Sequence, residues 1–288
     1  MADPVTRVGL VGGGQMGAGI LEVNARAGLE VVCVEVSAHA ARSAEQRLTA
    51  SLERAVSRGK LDAEDRDDAL ARVRFEIDLH ALAGCDLVIE AASEDEALKL
   101  DLFGRIGRLL DEDAVLVSNT SSIPIVKLGA ASGRADRVMG VHFFNPAPVM
   151  QLVELIPSLT TSPQTLDAMR SYVSERLGKQ PIEATDRAGF VVNSLLVPYL
   201  LSAIRMFEAG YASAADIDKG MVMGCGHPMG PLTLSDLIGL DTVRAIGASM
   251  YGEFKEPLYS PPPLLDRMVE AGLLGKKAGH GFFRYADA

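Results

Sequence analysis

Arg7-Val8-Gly9-Leu10-Val11-Gly12-Gly13-Gly14-Gln15-Met16-Gly17, near the start of a 288-residue chain, decides how the rest of the chain is read. An apolar run ends in glycines spaced Gly12-x-Gly14-x-x-Gly17, and Gln15 to Ala27 then carries Ile20, Val23 and Ala27 at helical spacing. Glu30 to Glu35 is β-branched and nearly continuously apolar, as expected of a parallel strand covered on both faces. Strand, glycine turn, helix and strand make a βαβ unit. Its glycines allow a tight turn and close backbone approach, and the helix N-terminus offers N–H groups to a pyrophosphate. Gly12, Gly14, Gln15, Met16 and Gly17 are therefore the candidate phosphate contacts of a dinucleotide. Glu35 closes the second strand, 18 residues after Gly17, where a carboxylate accepts hydrogen bonds from ribose hydroxyls and repels a 2′-phosphate. That favours NAD over NADP.

Working outward, residues 38–72 read as a long helix, a break at Gly59 and a second helix from Asp62. Strands are expected at residues 86–90, 114–118 and 137–144, with a helix over 95–110. A strand at 150–156, a helix at 163–177 and a short strand at 181–184 complete the pattern. Such alternation predicts an α/β, mostly parallel, doubly wound sheet of Rossmann type. From Ala188 onward nearly every periodic segment is helical, with Gly- and Pro-rich connectors at 226–231 and 257–263. Two domains are expected: residues 1–186 for the dinucleotide, and an all-helical domain over 187–288.

Composition narrows the function classes. Hydrophobic residues are 48% and charged residues 23%, ordinary for a globular chain. The net charge of −10 argues against a nucleic-acid partner. No apolar run is long enough to span a bilayer and no signal-type segment opens the chain, so the expected setting is cytoplasmic. Cys33, Cys85 and Cys225 show no C-x-x-C spacing, which leaves no expected metal site.

Two positions carry the chemistry. Strand register puts Val138, Gly140 and His142 on one face, with His142 at the carboxyl end where open α/β sheets bind ligands. Twelve residues on, Glu154 shares a face with Met150, Leu152 and Ile156. A carboxylate among apolar neighbours needs a partner, and an imidazole that gains a proton supplies one. Oxidation of an alcohol needs such a base, because the hydroxyl proton must leave as hydride leaves carbon. Ser118-Asn119-Thr120-Ser121-Ser122 follows a buried strand at the same edge and reads either as a source of substrate hydroxyls or as a plain turn. Asn193, in the apolar start of a helix, is either a substrate amide or a satisfied structural one. Arg54, Arg58 and Lys60, at the end of the long helix, are candidates for an anionic ligand or a solvated basic face.

Taken together, residues 12–17, 118–122, His142-Phe143-Phe144-Asn145-Pro146, Glu154, 189–193, His227-Pro228-Met229-Gly230-Pro231 and 279–283 resemble the 3-hydroxyacyl-CoA dehydrogenase family, especially its short 3-hydroxybutyryl-CoA dehydrogenase branch. The resemblance runs almost end to end. It implies NAD-dependent interconversion of an L-3-hydroxyacyl-CoA and a 3-oxoacyl-CoA, as in fatty-acid β-oxidation or the reverse synthesis. It implies His142 as base, Glu154 as its orienting acid, and Ser121 and Asn193 as contacts to the substrate oxygen. By the same resemblance Glu94, Lys99 and Asn145 belong with the cofactor, to which Asn119 is assigned as well; for the acyl-CoA phosphates, Arg54, Arg58 and Lys60 are the basic candidates, with a solvated basic face an equally good reading of them. It further implies an active site between the domains and a homodimer through the helical domain, with Val197 to Leu201 and Met221 to Leu240 as interface or core. Ser93, before Glu94, departs from the apolar residue expected there, and the acidic pair Asp95 and Glu96 comes next. A dehydrogenase of a free hydroxy or sugar acid, of the gulonate kind, is the alternative, and a non-catalytic NAD-binding protein of the lens-crystallin kind a third reading.

Overall fold

The computed structural model describes residues 5–285, so the outer bounds of both expected domains, 1 and 288, lie outside the described residues. Between Asp186 and Arg187 the chain divides into two compact units. The first runs β1 (Arg7–Val11), α1 (Gln15–Arg26), β2 (Glu30–Val34), α2 (Ala38–Ser57), α3 (Ala63–Ala71), β3 (Val73–Glu76), β4 (Leu87–Glu90) and α4 (Glu96–Gly107). It continues with β5 (Val115–Ser118), α5 (Ile125–Ser132), β6 (Val138–Phe143), β7 (Leu152–Pro157), α6 (Pro163–Ser171) and β8 (Gln180–Glu183).

These strands form one eight-stranded sheet in the order β3-β2-β1-β4-β5-β6-β7-β8. The six strands β1 to β6 are parallel, β7 runs antiparallel to β6, and β8 is parallel to β7. The connection between Phe143 and Leu152 holds no helix, too little chain for the crossover a parallel partner needs, and so β7 turns back beside β6. β2 and β4 flank β1, so the order reverses there and opens the crevice in which doubly wound sheets bind ligands. Val8, Leu10, Ile20, Leu21, Val31, Ile89 and Val117 are among the buried residues that seal α1 and its neighbours onto the sheet.

Three elements differ from the sequence-based reading. β3 is an edge strand of alternating half-buried and exposed residues, and its Arg74 and Glu76 hide the apolar signal. α5 lies between two strands and takes its N-terminal cap from afar: the Asp186 carboxylate accepts from the amides of Ile125 and Val126 at 2.8 and 2.9 Å. The helix expected over 163–177 is regular only through Ser171, and Tyr172–Arg176 is wound as a π-helix. Tyr172 is buried there and donates to Asn24 of α1 at 2.5 Å.

The second unit contains α7 (Val192–Glu208), α8 (Ala214–Cys225), α9 (Pro231–Ile238), α10 (Leu240–Phe254) and α11 (Pro263–Glu270). Two buried aspartates organise it. Asp218 accepts from the amides of Leu232 and Thr233, both at 2.8 Å, and so caps α9; a Cβ on Gly230 would stand 2.2 Å from its carboxyl carbon. Asp236 accepts from the amides of Phe282 and Phe283 at 2.9 Å, and Gly281 leaves it room. The Gly230-Pro231 and 279–283 motifs thus serve these two carboxylates. Val197, Leu200 and Leu201 are core of this unit, as are Leu232 and Leu240, whereas Val222, Met223 and Leu237 are exposed. Among the described residues no helix is long and apolar enough to cross a membrane.

Candidate active site

The glycine turn between β1 and α1 is shaped by what surrounds it. Gly12 takes φ +94°, and a Cβ there would stand 2.8 Å from Ala91 O and Ala92 N. A Cβ on Gly17 would stand 1.9 Å from Gly12 O, so helix and turn touch backbone to backbone. Gly14 is different: a Cβ there would meet nothing within 4 Å. No side chain caps the start of α1, which leaves its first N–H groups to a ligand, a fit for a pyrophosphate. Glu35, just past β2, accepts from Gly13 N–H at 2.6 Å and from its neighbour Val36 at 3.2 Å, which holds its carboxylate against the turn.

His142 lies directly opposite Glu154 in the antiparallel β6–β7 register. Nδ1 and Glu154 Oε2 are 2.7 Å apart, and the two residues are 7% and 0% exposed. Where the carboxylate is ionised it only accepts, so Nδ1–H donates to it, and a neutral ring in that tautomer has its lone pair on Nε2. The Phe144 ring meets the imidazole edge-on at 4.7 Å.

Glu94 gathers the segment after β5. Its Oε1 accepts from Thr120 Oγ1 at 2.5 Å, Ser122 Oγ at 2.8 Å and Ser121 N at 3.2 Å. Burial works against its ionisation, but the Lys99 ammonium and these hydrogen bonds outweigh it and hold the carboxyl below the usual range. Lys99 is 1% exposed, and its Nζ donates to Glu90 Oε1 at 2.6 Å and Ala92 O at 3.2 Å. Asn119 Oδ1 accepts from Phe143 N at 2.9 Å, which ties the end of β5 to the strand that carries His142. The Ser93 departure is absorbed locally: Asp95 caps α4 through Leu98 N at 2.8 Å, and Glu96 pairs with Lys127.

Asn145 lines a cleft of about 750 Å³ together with Gln15, Gly19, Arg47, Ser51 and Arg54. The expected basic trio is therefore split. Lys60 lines another cleft, of about 500 Å³, among Asp62, Asp65, Asp68, Arg26 and Arg72, where the carboxylates compete with any phosphate. Arg58 is the C-cap of α2 and lines neither of these two clefts. Asn193 is buried in the first turn of α7, in the second unit.

Sequence reasoning missed Glu90 and Lys179, and took Thr120 only as part of the 118–122 run. Lys179 is 5% exposed and donates to Ala147 O at 2.8 Å and Met150 O at 2.7 Å, so it braces the loop that carries Asn145. Burial and the Arg26 charge push its pKa down. A lone lysine in a polar connector gives no sign of this, because its partners are backbone carbonyls far along the chain.

The sequence profile of the 3-hydroxyacyl-CoA dehydrogenase NAD binding domain matches residues 7–187, and that of the same family's C-terminal domain matches residues 189–285. The chain belongs to the 3-hydroxyacyl-CoA dehydrogenase family. It is thus an NAD-dependent oxidoreductase, and its first unit carries the family's NAD binding domain. A 3-hydroxybutyryl-CoA dehydrogenase of Mycobacterium tuberculosis is 55% identical over 286 residues, covering 99% of this chain and 100% of the relative. The human mitochondrial hydroxyacyl-coenzyme A dehydrogenase is 40% identical, with 98% and 91% covered. Among solved structures, the (S)-3-hydroxybutyryl-CoA dehydrogenase of Ralstonia eutropha superposes with a TM-score of 0.92 at 44% identity, covering 98% of this chain and 100% of that one.

Proposed function

We propose that this member of the family interconverts an L-3-hydroxyacyl-CoA, 3-hydroxybutyryl-CoA first among them, and the 3-oxoacyl-CoA. The observation that carries the reading is the His142–Glu154 pair, at 2.7 Å, on the sheet edge that also bears the glycine turn. Its relatives' names supply the substrate class. Bound NAD supplies the nicotinamide carbon that accepts hydride. His142 Nε2 takes the hydroxyl proton, and Glu154 stabilises the imidazolium and fixes its orientation. Ser121 holds the substrate oxygen from a segment that Glu94 pins. Asn119 keeps β5 and β6 in step beneath them. Arg54, with Arg58 beyond it on α2, draws the CoA phosphates to the cleft that Gln15 and Asn145 share.

The direct test is NADH absorbance decay with acetoacetyl-CoA, run beside NADPH and beside free acetoacetate. Loss with the thioester and NADH alone supports the reading; loss with free acetoacetate at equal rate overturns the need for CoA. For the phosphate contact, Arg54→Glu is expected to raise KM for acetoacetyl-CoA about tenfold with kcat within about threefold, and Lys60→Glu to change neither. An equal effect from Lys60→Glu would move the CoA to the other cleft. For cofactor choice, Glu35→Ala with Val36→Arg is expected to shift the NADH/NADPH ratio of kcat/KM towards NADPH by about 10- to 100-fold, since Val36 is 91% exposed beside the ribose site. Unchanged selectivity would remove Glu35 from the ribose. The helical unit is proposed to pair two chains through exposed apolar side chains such as Val222, Met223 and Leu237.

A further inference from the structure

Glu90 ends β4 at 0% exposure and takes no part in the proton and hydride steps. Its carboxylate is shared among three segments. Oε1 accepts from Lys99 Nζ at 2.6 Å and from Ala92 N at 2.7 Å, and Oε2 accepts from Ser118 Oγ at 2.6 Å. Each contact leads towards the site. Ala91 O and Ala92 N form the wall that Gly12 meets, so Glu90 fixes the backbone on which the glycine turn closes. Lys99 Nζ is also 3.4 Å from Glu94 Oε2, and Glu94 gathers Thr120, Ser121 and Ser122. Ser118 Oγ in turn accepts from Thr120 N at 3.1 Å, a second hold on the same segment.

A buried ion pair is a poor device for stability alone, because apolar residues of similar volume do as well or better. Directed hydrogen bonds to three segments are what an apolar pair cannot supply. We propose that Glu90 is a positioning residue that sets both the glycine turn for the cofactor and Ser121 for the substrate oxygen through one buried carboxylate. This rests on the roles given to the turn and to Ser121 under Proposed function.

Glu90→Gln alone leaves the Lys99 charge facing a neutral amide and risks misfolding. The deciding variant is therefore Glu90→Gln with Lys99→Met, which removes both charges. It is expected to melt within about 5 °C of the wild type, to bind NADH about tenfold more weakly by fluorescence titration, and to lose about a hundredfold in kcat. Ser118→Ala removes the Oε2 donor of Glu90 and the hold on the serine segment, and leaves the Oε1 contacts to Ala92 N and Lys99 in place. It is expected to lower kcat about tenfold while the NADH dissociation constant stays within about twofold, a split that a purely structural role would not produce. A folded double variant with both constants unchanged overturns the proposal, as does Ser118→Ala with unchanged kcat, which decides the matter if the double variant does not fold. Should the wild type not turn over acetoacetyl-CoA, the substrate reading fails, and NADH binding by the double variant, compared with Lys99→Met alone, still tests Glu90.

Discussion

Replacing His142 by alanine is expected to lower kcat by about two to four orders of magnitude and to leave the NADH dissociation constant within about threefold. The ring sits on β6 with Nδ1 bonded to Glu154, so its removal takes away the proposed proton acceptor and leaves the glycine turn as it was. It also takes the imidazole away from a fully buried carboxylate, and deleting one partner of a buried pair costs up to about 3–5 kcal/mol. His142→Asn serves as the companion variant, because its amide still offers Glu154 a donor. If both lose turnover and only alanine loses stability, the kinetic effect belongs to the base and not to folding. Glu154→Gln tests the other half: a glutamine amide can donate to Nδ1, which favours the proton on Nε2 and presents the substrate with the wrong tautomer. A fall of about two to three orders of magnitude in kcat is expected, and combining it with His142→Ala is expected to cost little more, since the pair acts as a unit. Near-normal turnover in His142→Ala removes the residue from the chemistry.

The reach of the sequence can be judged residue by residue. Positions whose role depends on local spacing were legible: the Gly12-Gly14-Gly17 turn sits between β1 and α1, and Gly59 takes φ +63° in the break between α2 and α3. His142 and Glu154 were legible as candidates, since period-two alternation places a polar side chain among apolar neighbours. Their direct opposition required the antiparallel turn into β7, and alternation is silent on strand direction. β3 was invisible because an edge strand with one exposed face looks like loop. Glu90 read as an ordinary strand end, Lys99 and Glu94 entered only through family resemblance, and Lys179 did not enter at all. Each of these acts through partners brought together by the sheet. The apolar segment 197–201 read as interface or core, core being the commoner case, and Val197, Leu200 and Leu201 are buried in the core of the second unit.

Two glycines of the turn should separate fold from ligand. At Gly17 a Cβ would stand 1.9 Å from Gly12 O and 3.3 Å from Leu10 Cδ2, so Gly17→Val must push α1 away from the turn. Overpacking of that kind costs about 1–3 kcal/mol, and a lower Tm is expected without any cofactor present. NADH binding should fall by at least about a hundredfold, because the N–H groups at the start of α1 move with the helix. Gly14 has φ −63° and open space beyond it, so alanine fits the backbone there. As an N-cap, glycine is preferred to alanine by about 1 kcal/mol, which in a chain of this size is a few degrees, so Gly14→Ala is expected to change Tm by less than about 5 °C. The added methyl nevertheless occupies the open space in front of the helix, the approach proposed for the pyrophosphate. NADH should bind at least tenfold more weakly, and the rise in Tm that saturating NADH gives the wild type should shrink by about 1.4 kcal/mol of linkage. Thermal melts with and without NADH read both effects at once. Undiminished NADH stabilisation in Gly14→Ala would place the pyrophosphate elsewhere, whereas an equal loss of cofactor-free Tm in both variants would make Gly14 a folding residue.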